Sequence, residues 1–112
     1  MTEAPRTAVA GDPRVVELPR CALVVLSGPD RGREQLIEGE TFRIGKSRDN
    51  ELVLADETVS RVHCEIARGH KGYRIRDLGS TNGTLVDGAE IEEAWIRPGA
   101  VITVGKVEIK IR

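Results

Sequence analysis

Short apolar segments separated by turn residues run along most of the chain. From Cys21 onward these segments are either continuously apolar or alternate with polar residues, and Gly, Asp and Asn stand between them. The last segment alternates most cleanly, with Val107, Ile109 and Ile111 on one face and charged side chains on the other. No window of about eleven residues has the spacing of an amphipathic helix. The pattern therefore predicts an all-β domain folded as a sandwich or a barrel.

Strands, turns and domain boundaries follow from the same pattern. Asn82-Gly83 and Asp87-Gly88 predict tight turns, because such turns need positive φ angles that these pairs tolerate. Residues 1–19 lack periodicity and hold three of the five prolines, which predicts a flexible N-terminal tail before a single domain over residues 20–112. The predicted strands are residues 21–27, 34–37, 41–44, 51–54, 62–67, 73–77, 84–86, 101–104 and 107–111.

Composition and charge exclude several classes of function. Lys and Arg number 17 against 18 Asp and Glu, a net charge of −1, whereas nucleic-acid-binding domains present a basic face. Only Phe42, Tyr73 and Trp95 are aromatic, too few for a sugar-binding or base-stacking surface. The longest apolar run, residues 22–26, is far shorter than the ~20 residues that cross a bilayer, and no secretory signal is visible. We expect a cytoplasmic domain that contacts neither nucleic acid nor a membrane.

The two cysteines have an ordinary structural explanation. Cys21 and Cys64 lie inside apolar segments, which predicts two small buried hydrophobic residues. The sequence alone does not exclude a disulfide between them, although a reducing cytosol disfavours it. A zinc site made from the cysteines with His63 and His70 would lack the close ligand spacing of such sites. We therefore predict no metal, and nothing in the sequence calls for a cofactor.

Three polar segments interrupt the strand pattern and carry side chains that a sandwich core does not need. They contain Gly45-Lys46, then Ser60-Arg61-Val62-His63, then the run Leu78-Gly79-Ser80-Thr81-Asn82-Gly83-Thr84. In this order the segments resemble the motifs of the forkhead-associated (FHA) domain, a phosphothreonine-recognition module. Those motifs are Gly-Arg, Ser-x-x-His and Leu-Gly-Ser-Thr-Asn-Gly-Thr. The resemblance covers roughly residues 23–111.

The resemblance implies a fold and a set of ligand contacts. The fold is an FHA-type (SMAD/FHA-like) β-sandwich of about 11 mostly antiparallel strands, with the binding loops at one end. Ser60 and Thr81 would hydrogen-bond the phosphate of a phosphothreonine. Lys46 and Arg61 would face it with positive charge. Asn82 would hold the main chain of the ligand beside the phosphothreonine.

The resemblance also implies supporting residues and contains one departure. Gly45, His63 and Gly83 would support the binding loops rather than touch the ligand. Lys46 stands where the family usually has Arg, so the charge is kept but the planar fork that binds an anion through two parallel bonds is lost. Arg48 and Arg61 are nearby cations that could compensate.

The implied contacts suit the chemistry of the ligand. A phosphothreonine carries about −1.5 to −2 charges and three strong acceptor oxygens, so its receptor needs converging donors and cations. Hydroxyls such as those of Ser60 and Thr81 supply directional hydrogen bonds, and Lys46 and Arg61 supply charge. Backbone amides of a turn rich in Gly and Asn can add an anion-binding concavity.

Two alternative functions compete with phosphothreonine recognition. A hydrolase could use Ser60 as nucleophile and His63 as base, with Asp77 as orienter, but the sequence shows no nucleophile elbow or oxyanion-hole motif. A phospho-independent or intramolecular interaction domain is the closer rival. Arg6-Thr7 suits a basophilic kinase, and the short tether would give a phosphorylated Thr7 a high effective concentration at the loops.

The sequence thus predicts a non-catalytic signalling module. Its partner is expected to be a phosphothreonine-containing protein or peptide, with a Ser/Thr kinase acting upstream. The overall sequence is similar to FHA domains at the N terminus of bacterial transcriptional regulators, where the module precedes an ATPase and a DNA-binding domain. The abrupt C-terminal end after Arg112 fits such an arrangement, and it fits a stand-alone adaptor equally well.

Overall fold

A computed structural model describes residues 20–112, which form eleven β-strands. None of these residues lies in a helix, so the described part of the chain has no helix able to span a bilayer. The strands are β1 (Ala22–Val25), β2 (Glu34–Leu36), β3 (Thr41–Gly45), β4 (Leu52–Val53), β5 (Cys64–Gly69), β6 (Gly72–Asp77), β7 (Thr84–Val86), β8 (Ala89–Ile91), β9 (Glu93–Ile96), β10 (Val101–Val104) and β11 (Val107–Ile111).

The strands form two sheets. One has six strands in the order β2-β1-β11-β10-β7-β8, and the other has five in the order β4-β3-β5-β6-β9. All pairs are antiparallel except β3 with β4, which is parallel. The all-β sandwich of about 11 mostly antiparallel strands is therefore confirmed.

Alternating apolar residues from both sheets fill the core. In β11, Val107, Ile109 and Ile111 are buried and the charged residues between them are exposed, as the sequence pattern predicts. In β3 of the other sheet, Phe42 and Ile44 are buried while Thr41 and Arg43 face outward. This period of two places one face of each sheet against the other. Cys21 and Cys64 lie in this core, which confirms the prediction that both are buried.

Two of the eleven strands carry no recognisable pattern in the sequence. β8 and β9 are each the last strand of a sheet, and most of their residues are exposed or half-buried. An edge strand that buries few side chains has no need of alternating apolar residues, so sequence periodicity does not reveal it.

The predicted start of one strand was wrong. β5 begins at Cys64 rather than residue 62, which leaves Val62 exposed and His63 in the preceding loop.

The two predicted tight turns differ in the structure. Asp87-Gly88 joins β7 to β8 as a two-residue hairpin, with φ angles of 50° and 86°. Asn82-Gly83 does not close a hairpin, because β6 and β7, which flank it, belong to different sheets. Gly83 has a φ of 85°, while Asp87 is the one non-glycine residue with positive φ among those described. The segment around Asn82 is a crossover between the sheets, which leaves its side chain available to a neighbouring loop. The predicted tail and its Thr7 lie outside the described residues.

Candidate functional site

The three polar segments of the sequence lie side by side. They form the β3–β4 loop (46–51), the β4–β5 loop (54–63) and the β6–β7 loop (78–83). The backbone amide of Lys46 donates to the carbonyl of Ser60 at 2.9 Å. The hydroxyl of Ser60 accepts from the backbone amide of Thr81 at 3.1 Å. Ser60 therefore joins the first and third loops through its own main chain and side chain.

The side chains expected to contact a ligand are accessible. Lys46, Arg61, Thr81 and Asn82 are exposed, and Ser60 is half-buried. Exposed cations and hydroxyls on adjacent loops make a surface that can approach an anion from water. The structure thus brings together the five residues that the sequence predicts for ligand binding.

His63 braces these loops from inside. Its side chain is completely buried. Nδ1 accepts a hydrogen bond from the Ser60 amide at 3.0 Å, and Nε2 donates to the Gly83 carbonyl at 2.8 Å. These two partners require the neutral ring with its proton on Nε2. The histidine therefore fixes the β4–β5 loop against the β6–β7 loop.

Gly45 has a steric reason to lack a side chain. A Cβ at this position would overlap the carbonyl oxygen of Arg61 and would lie 2.8 Å from Nδ2 of Asn50. The end of β3 can thus approach the β4–β5 loop closely enough for the Lys46–Ser60 hydrogen bond. The close approach, rather than a positive φ angle, explains the glycine.

Asn50 supports the site and was not singled out from the sequence. It is buried, with 7% of its surface exposed. Its Nδ2 donates to the carbonyls of Ser47 and Arg61, each at 2.7 Å. The Arg61 carbonyl also accepts from the Ser47 amide at 3.0 Å. Asn50 therefore fixes the backbone of Arg61, whose side chain points into solvent. The Arg61 carbonyl lies eleven positions along the chain from Asn50, so a single sequence does not reveal that the two groups interact.

Asp77 organises the β6–β7 loop. Its carboxylate accepts hydrogen bonds from the hydroxyls of Ser80 and Thr84 at 2.6 and 2.7 Å and from the amides of Gly79 and Ser80 at 3.0 and 3.1 Å. Burial by itself would raise the pKa of Asp77, but these hydrogen bonds outweigh it and hold the pKa below its ordinary value. An Asp with Gly two residues later and Ser three residues later is a sequence signal for such a loop.

Thr58 ties the β4–β5 loop to Asn82. Its carbonyl accepts from Nδ2 of Asn82 at 2.8 Å. Its hydroxyl and amide donate to Oδ1 of Asp56 at 2.5 and 2.9 Å. These hydrogen bonds from Thr58 are the main reason that the pKa of Asp56 lies below its ordinary value, with the positive charges of Lys106 and Lys46 adding to it.

The geometry does not support a hydrolytic relay. Nδ1 of His63 contacts the amide of Ser60 rather than its hydroxyl, and Nε2 contacts the Gly83 carbonyl rather than Asp77. The Asp77 carboxylate is occupied by its own loop. Burial raises the pKa of the Cys64 thiol to about 12, so this residue is not a ready thiolate nucleophile. Within residues 20–112, no three His, Cys, Asp or Glu side chains cluster as metal ligands would.

Comparisons with known proteins identify the family to which the chain belongs. The FHA domain-containing protein FhaB of Mycolicibacterium smegmatis is 38% identical over 92 residues, which cover 80% of this chain and 59% of FhaB. The chain spans 60% or less of the length of the first curated relatives that it matches.

Solved structures show the same relationship. A structure from a study of phosphothreonine-dependent FHA domain interactions is similar, with a TM-score of 0.78 and 34% identity, covering 84% of this chain and 96% of that one. Mycobacterium tuberculosis EmbR in complex with a low-affinity phosphopeptide gives a TM-score of 0.75 and 29% identity, covering 83% of this chain and 24% of EmbR. The family model described as the cytoplasmic domain of an inner membrane component of the T3SS matches residues 24–112. The chain belongs to that FHA-like family and thus to the forkhead-associated domains.

Proposed function

We propose that residues 20–112 bind phosphothreonine-containing segments of partner proteins, without catalysis. The observation that carries the proposal is the hydrogen bond from the Thr81 amide to the Ser60 hydroxyl, which joins two of the three loops. The exposed cations Lys46 and Arg61 lie on these adjoining loops. An anion with three acceptor oxygens fits donors that converge in this way.

The Ser60 hydroxyl is prepared to donate to a phosphate. Its oxygen already accepts the Thr81 amide, so its single proton is directed elsewhere. The Thr81 hydroxyl is exposed beside it and supplies a second donor. Lys46 and Arg61 add positive charge at the surface, where a doubly charged phosphate gains from charge-assisted bonds.

Asn82 is suited to hold the ligand main chain. One hydrogen of its Nδ2 is used by the Thr58 carbonyl, which fixes the orientation of the amide. The second hydrogen and the amide oxygen remain for the peptide. Such a pair of groups matches one carbonyl and one amide of an extended chain, so Asn82 would align the peptide while the neighbouring residues bind its phosphate.

Selectivity for phosphothreonine over phosphoserine depends on one methyl group. Its transfer from water contributes about 0.8 kcal/mol, roughly a fourfold preference, and tight packing increases this. We therefore expect a clear preference rather than an absolute one.

The proposed biological role is recruitment of a partner downstream of a Ser/Thr kinase. Two similarities support it: the phosphothreonine-dependent FHA domain and the phosphopeptide complex of EmbR. A cytoplasmic location is part of the proposal, supported by the description of the matched family model as a cytoplasmic domain. The proposal also assigns the domain to a transcriptional regulator. It does not include contact with DNA by this domain.

A titration with a degenerate phosphothreonine peptide library tests the function, alongside phosphoserine and unmodified libraries. We expect micromolar binding of the best phosphothreonine peptides, about −8 kcal/mol. Phosphoserine peptides should bind several times more weakly. Equal affinity for unmodified peptides would overturn the proposal and favour a phospho-independent interaction domain.

A further inference from the structure

Strand β9 forms an open edge of the five-stranded sheet. It pairs with β6 on one side, and among residues 20–112 no strand lies on its other side. The edges at β2 and β4 differ, because side chains beside β2 donate to main-chain carbonyls beside β4. These bonds run from Arg33 to Val53 at 3.1 Å and from Gln35 to Glu51 at 2.7 Å. In the part of the chain that the structure describes, the β9 edge has no such cover.

The hydrogen-bond pattern of β9 shows which residues face the open side. The Asp77 amide donates to the Glu92 carbonyl at 2.9 Å, so position 92 faces β6. In an antiparallel ladder, the main-chain groups of every second residue face the same neighbour. The even-numbered residues of β9 therefore bond to β6. The amides and carbonyls of Glu93, Trp95 and Arg97 face away from the sheet.

These outward groups are available to a further strand. Within residues 20–112, the Arg97 carbonyl accepts from the Ala100 amide at 3.0 Å, and the other outward groups have no partner. The Trp95 ring leans back over its own sheet, because its Cη2 lies 3.8 Å from the place that a Cβ on Gly69 would occupy. Arg74 stacks on this ring, 5.2 Å from its centroid. The ring therefore leaves the main chain of the edge uncovered.

The charges along this edge are complementary to a second copy of the same edge. Two β9 strands that run antiparallel about a two-fold axis, with Trp95 opposite Trp95, place Glu93 of each copy opposite Arg97 of the other. Both charged side chains are exposed. Opposite charges at facing positions stabilise a strand pair, whereas a parallel pair in register would oppose like charges. The charges therefore favour the antiparallel arrangement, and this register uses all three outward residues.

The side chains that would meet lie on one face of the sheet. Directly opposed residues of neighbouring strands project to the same face, and Glu93 and Arg97 are separated by an even number of positions. Oε2 of Glu93 contacts Nε of Arg74 at 3.0 Å, which holds the carboxylate on the outer face. An arginine from a second copy therefore approaches a carboxylate that is already positioned.

We propose that the chain forms a two-fold symmetric dimer by antiparallel pairing of β9 with β9 of a second copy. The two Trp95 residues exchange main-chain hydrogen bonds, and each Arg97 amide donates to the Glu93 carbonyl of the other copy. The two five-stranded sheets become one continuous sheet. This pairing does not depend on the proposed function.

The dimer has a consequence for ligand binding, and this consequence does rest on the proposed function. The β6–β7 loop (78–83) follows the end of β6, and β6 runs antiparallel to its counterpart in the second copy. The two candidate sites therefore lie at opposite ends of the joined sheet, and neither is covered. One dimer links two phosphorylated partners instead of binding one partner through both sites.

Sedimentation velocity of the chain of residues 1–112 tests the pairing. The weight-average mass should rise from that of one chain towards that of two as the concentration increases from about 10 μM to about 1 mM, a range that suits a small interface. Hydrogen exchange locates the contact. The Trp95 amide should exchange more slowly at the higher concentration, whereas the Ala94 amide, which bonds to β6, should exchange slowly at both.

Charge reversal tests the register. Arg97→Glu and Glu93→Arg should each weaken dimer formation about ten- to thirtyfold, because both ion pairs become contacts between like charges. An equimolar mixture of the two variants should recover the association. One copy then supplies two carboxylates and the other supplies two guanidinium groups, so a mixed dimer regains both ion pairs. This recovery also shows that both variants are folded.

Lys110→Glu and Glu108→Arg are the matched controls. They make the same changes in charge at exposed positions of β11, which lies inside the other sheet. Both controls should associate as the wild-type protein does. A loss of association in these variants equal to that of Arg97→Glu would mean that net charge, rather than the β9 register, governs the association, and it would overturn the proposal.

Other outcomes also decide the proposal. A mass that stays at one chain up to about 1 mM would overturn it and leave the edge to a strand of another protein. A dimer that neither reversal weakens, or that the mixture does not restore, would pair through another surface. Arg97→Glu should bind phosphothreonine peptides as the wild type does, because β9 lies outside the ligand loops. If no phosphothreonine peptide binds the wild type, the proposed function fails while the concentration-dependent mass still supports the pairing.

Discussion

The hydroxyl of Ser60 accepts a hydrogen bond from the backbone amide of Thr81, although 21 positions of chain separate them. The group proposed to donate to a phosphate is therefore the same group that connects two loops of the site. Ligand binding and loop geometry therefore both depend on this one oxygen. A substitution of Ser60 should change both the affinity for the ligand and the free energy of unfolding, and each change can be measured.

Ser60→Ala should weaken phosphothreonine binding by about 10- to 100-fold, because a hydrogen bond to a charged group is lost. Its effect on the free energy of unfolding should be smaller, about 0.5–1.5 kcal/mol, since the exposed Thr81 amide can turn to water. Isothermal titration and urea unfolding measure the two quantities.

Ser27→Ala provides the control for that substitution. The Ser27 hydroxyl also accepts a backbone amide, that of Glu108 at 2.9 Å, but it lies on the β1–β2 connection. This variant should lose comparable stability and keep full affinity. Equal affinity losses in the two serine variants would mean that Ser60 acts only through the fold.

Lys46→Arg should strengthen phosphothreonine binding by about two- to tenfold. Lys46 is exposed, so the larger guanidinium group can be accommodated without repacking. Arg presents a planar fork that bonds two phosphate oxygens at once, whereas Lys acts as a single charged point. Phosphopeptide titrations of Lys46→Arg and the uncharged Lys46→Gln measure the effect. An Arg variant that binds no better than Lys46→Gln would mean that this side chain does not face the phosphate.

Asn82→Ala should weaken binding of phosphorylated peptides strongly, by about tenfold or more, while the domain stays folded. The substitution removes the proposed main-chain contact and the exposed hydrogen bond to the Thr58 carbonyl. Asn82→Asp separates the two effects, because it keeps the side-chain shape but replaces the donor with a second acceptor and adds a negative charge. This variant should bind more weakly than Asn82→Ala. Chemical shifts of the backbone amides outside loops 54–63 and 78–83 should remain unchanged in both.

The strand pattern and the loop motifs were predictable from the sequence because they follow from local rules. Strand β11 buries Val107, Ile109 and Ile111 and exposes the residues between them, and a period of two is visible without any structure. The Asp87-Gly88 hairpin follows from the φ angles that two residues tolerate. Such features depend on neighbours in the chain, so a single sequence contains them.

The supporting contacts of the site were not predictable, because they join distant positions. Asn50 acts on a carbonyl 11 positions away, and the Lys106 amide bonds to a hydroxyl 48 positions away. Asn82-Gly83 also has the composition of a hairpin turn, yet the flanking strands enter different sheets. Only the packing of the two sheets determines which loops meet at one end. The family motifs identified the expected ligand contacts but not the residues that hold them in position.

Gly45→Ala should destabilise the domain by about 1–3 kcal/mol, the usual cost of adding a methyl group where there is no room. The new Cβ would overlap the Arg61 carbonyl and crowd Asn50, so the β3–β4 and β4–β5 loops must separate. Phosphothreonine affinity should fall with stability, because Lys46 and Arg61 shift. Thermal unfolding and peptide titration measure the two effects.

Gly69→Ala is the matched control for Gly45. Gly69 ends β5, its φ is outside the positive range, and a Cβ there would have its nearest neighbour at an ordinary 3.7 Å. This variant should unfold and bind as the wild-type protein does. A Gly45→Ala protein as stable as Gly69→Ala would show that the loops can separate at little cost.

Asp77→Asn should lower the free energy of unfolding at neutral pH by about 1–3 kcal/mol and make that loss depend on pH. Asn has one acceptor oxygen in place of two, and its NH₂ group faces donors of the same loop. Because the pKa of Asp77 is lowered by folding, its stabilisation is complete above the pKa of an unfolded Asp, about 3.9, and is lost as the pH falls through the lower value of the folded state. The gap between wild type and variant should therefore be constant down to about pH 5 and narrow below about pH 4.

Urea unfolding across that pH range measures the gap directly. Asp56 also has a lowered pKa and loses its contribution in the same acidic window, but it does so in both proteins and cancels in the difference. Glu57→Gln removes a carboxylate from the exposed part of the neighbouring loop, and it should give a small difference at every pH. A gap between the wild type and Asp77→Asn that stays the same down to the lowest pH would contradict this prediction. It would mean that the four hydrogen bonds do not depend on the negative charge of the Asp77 carboxylate.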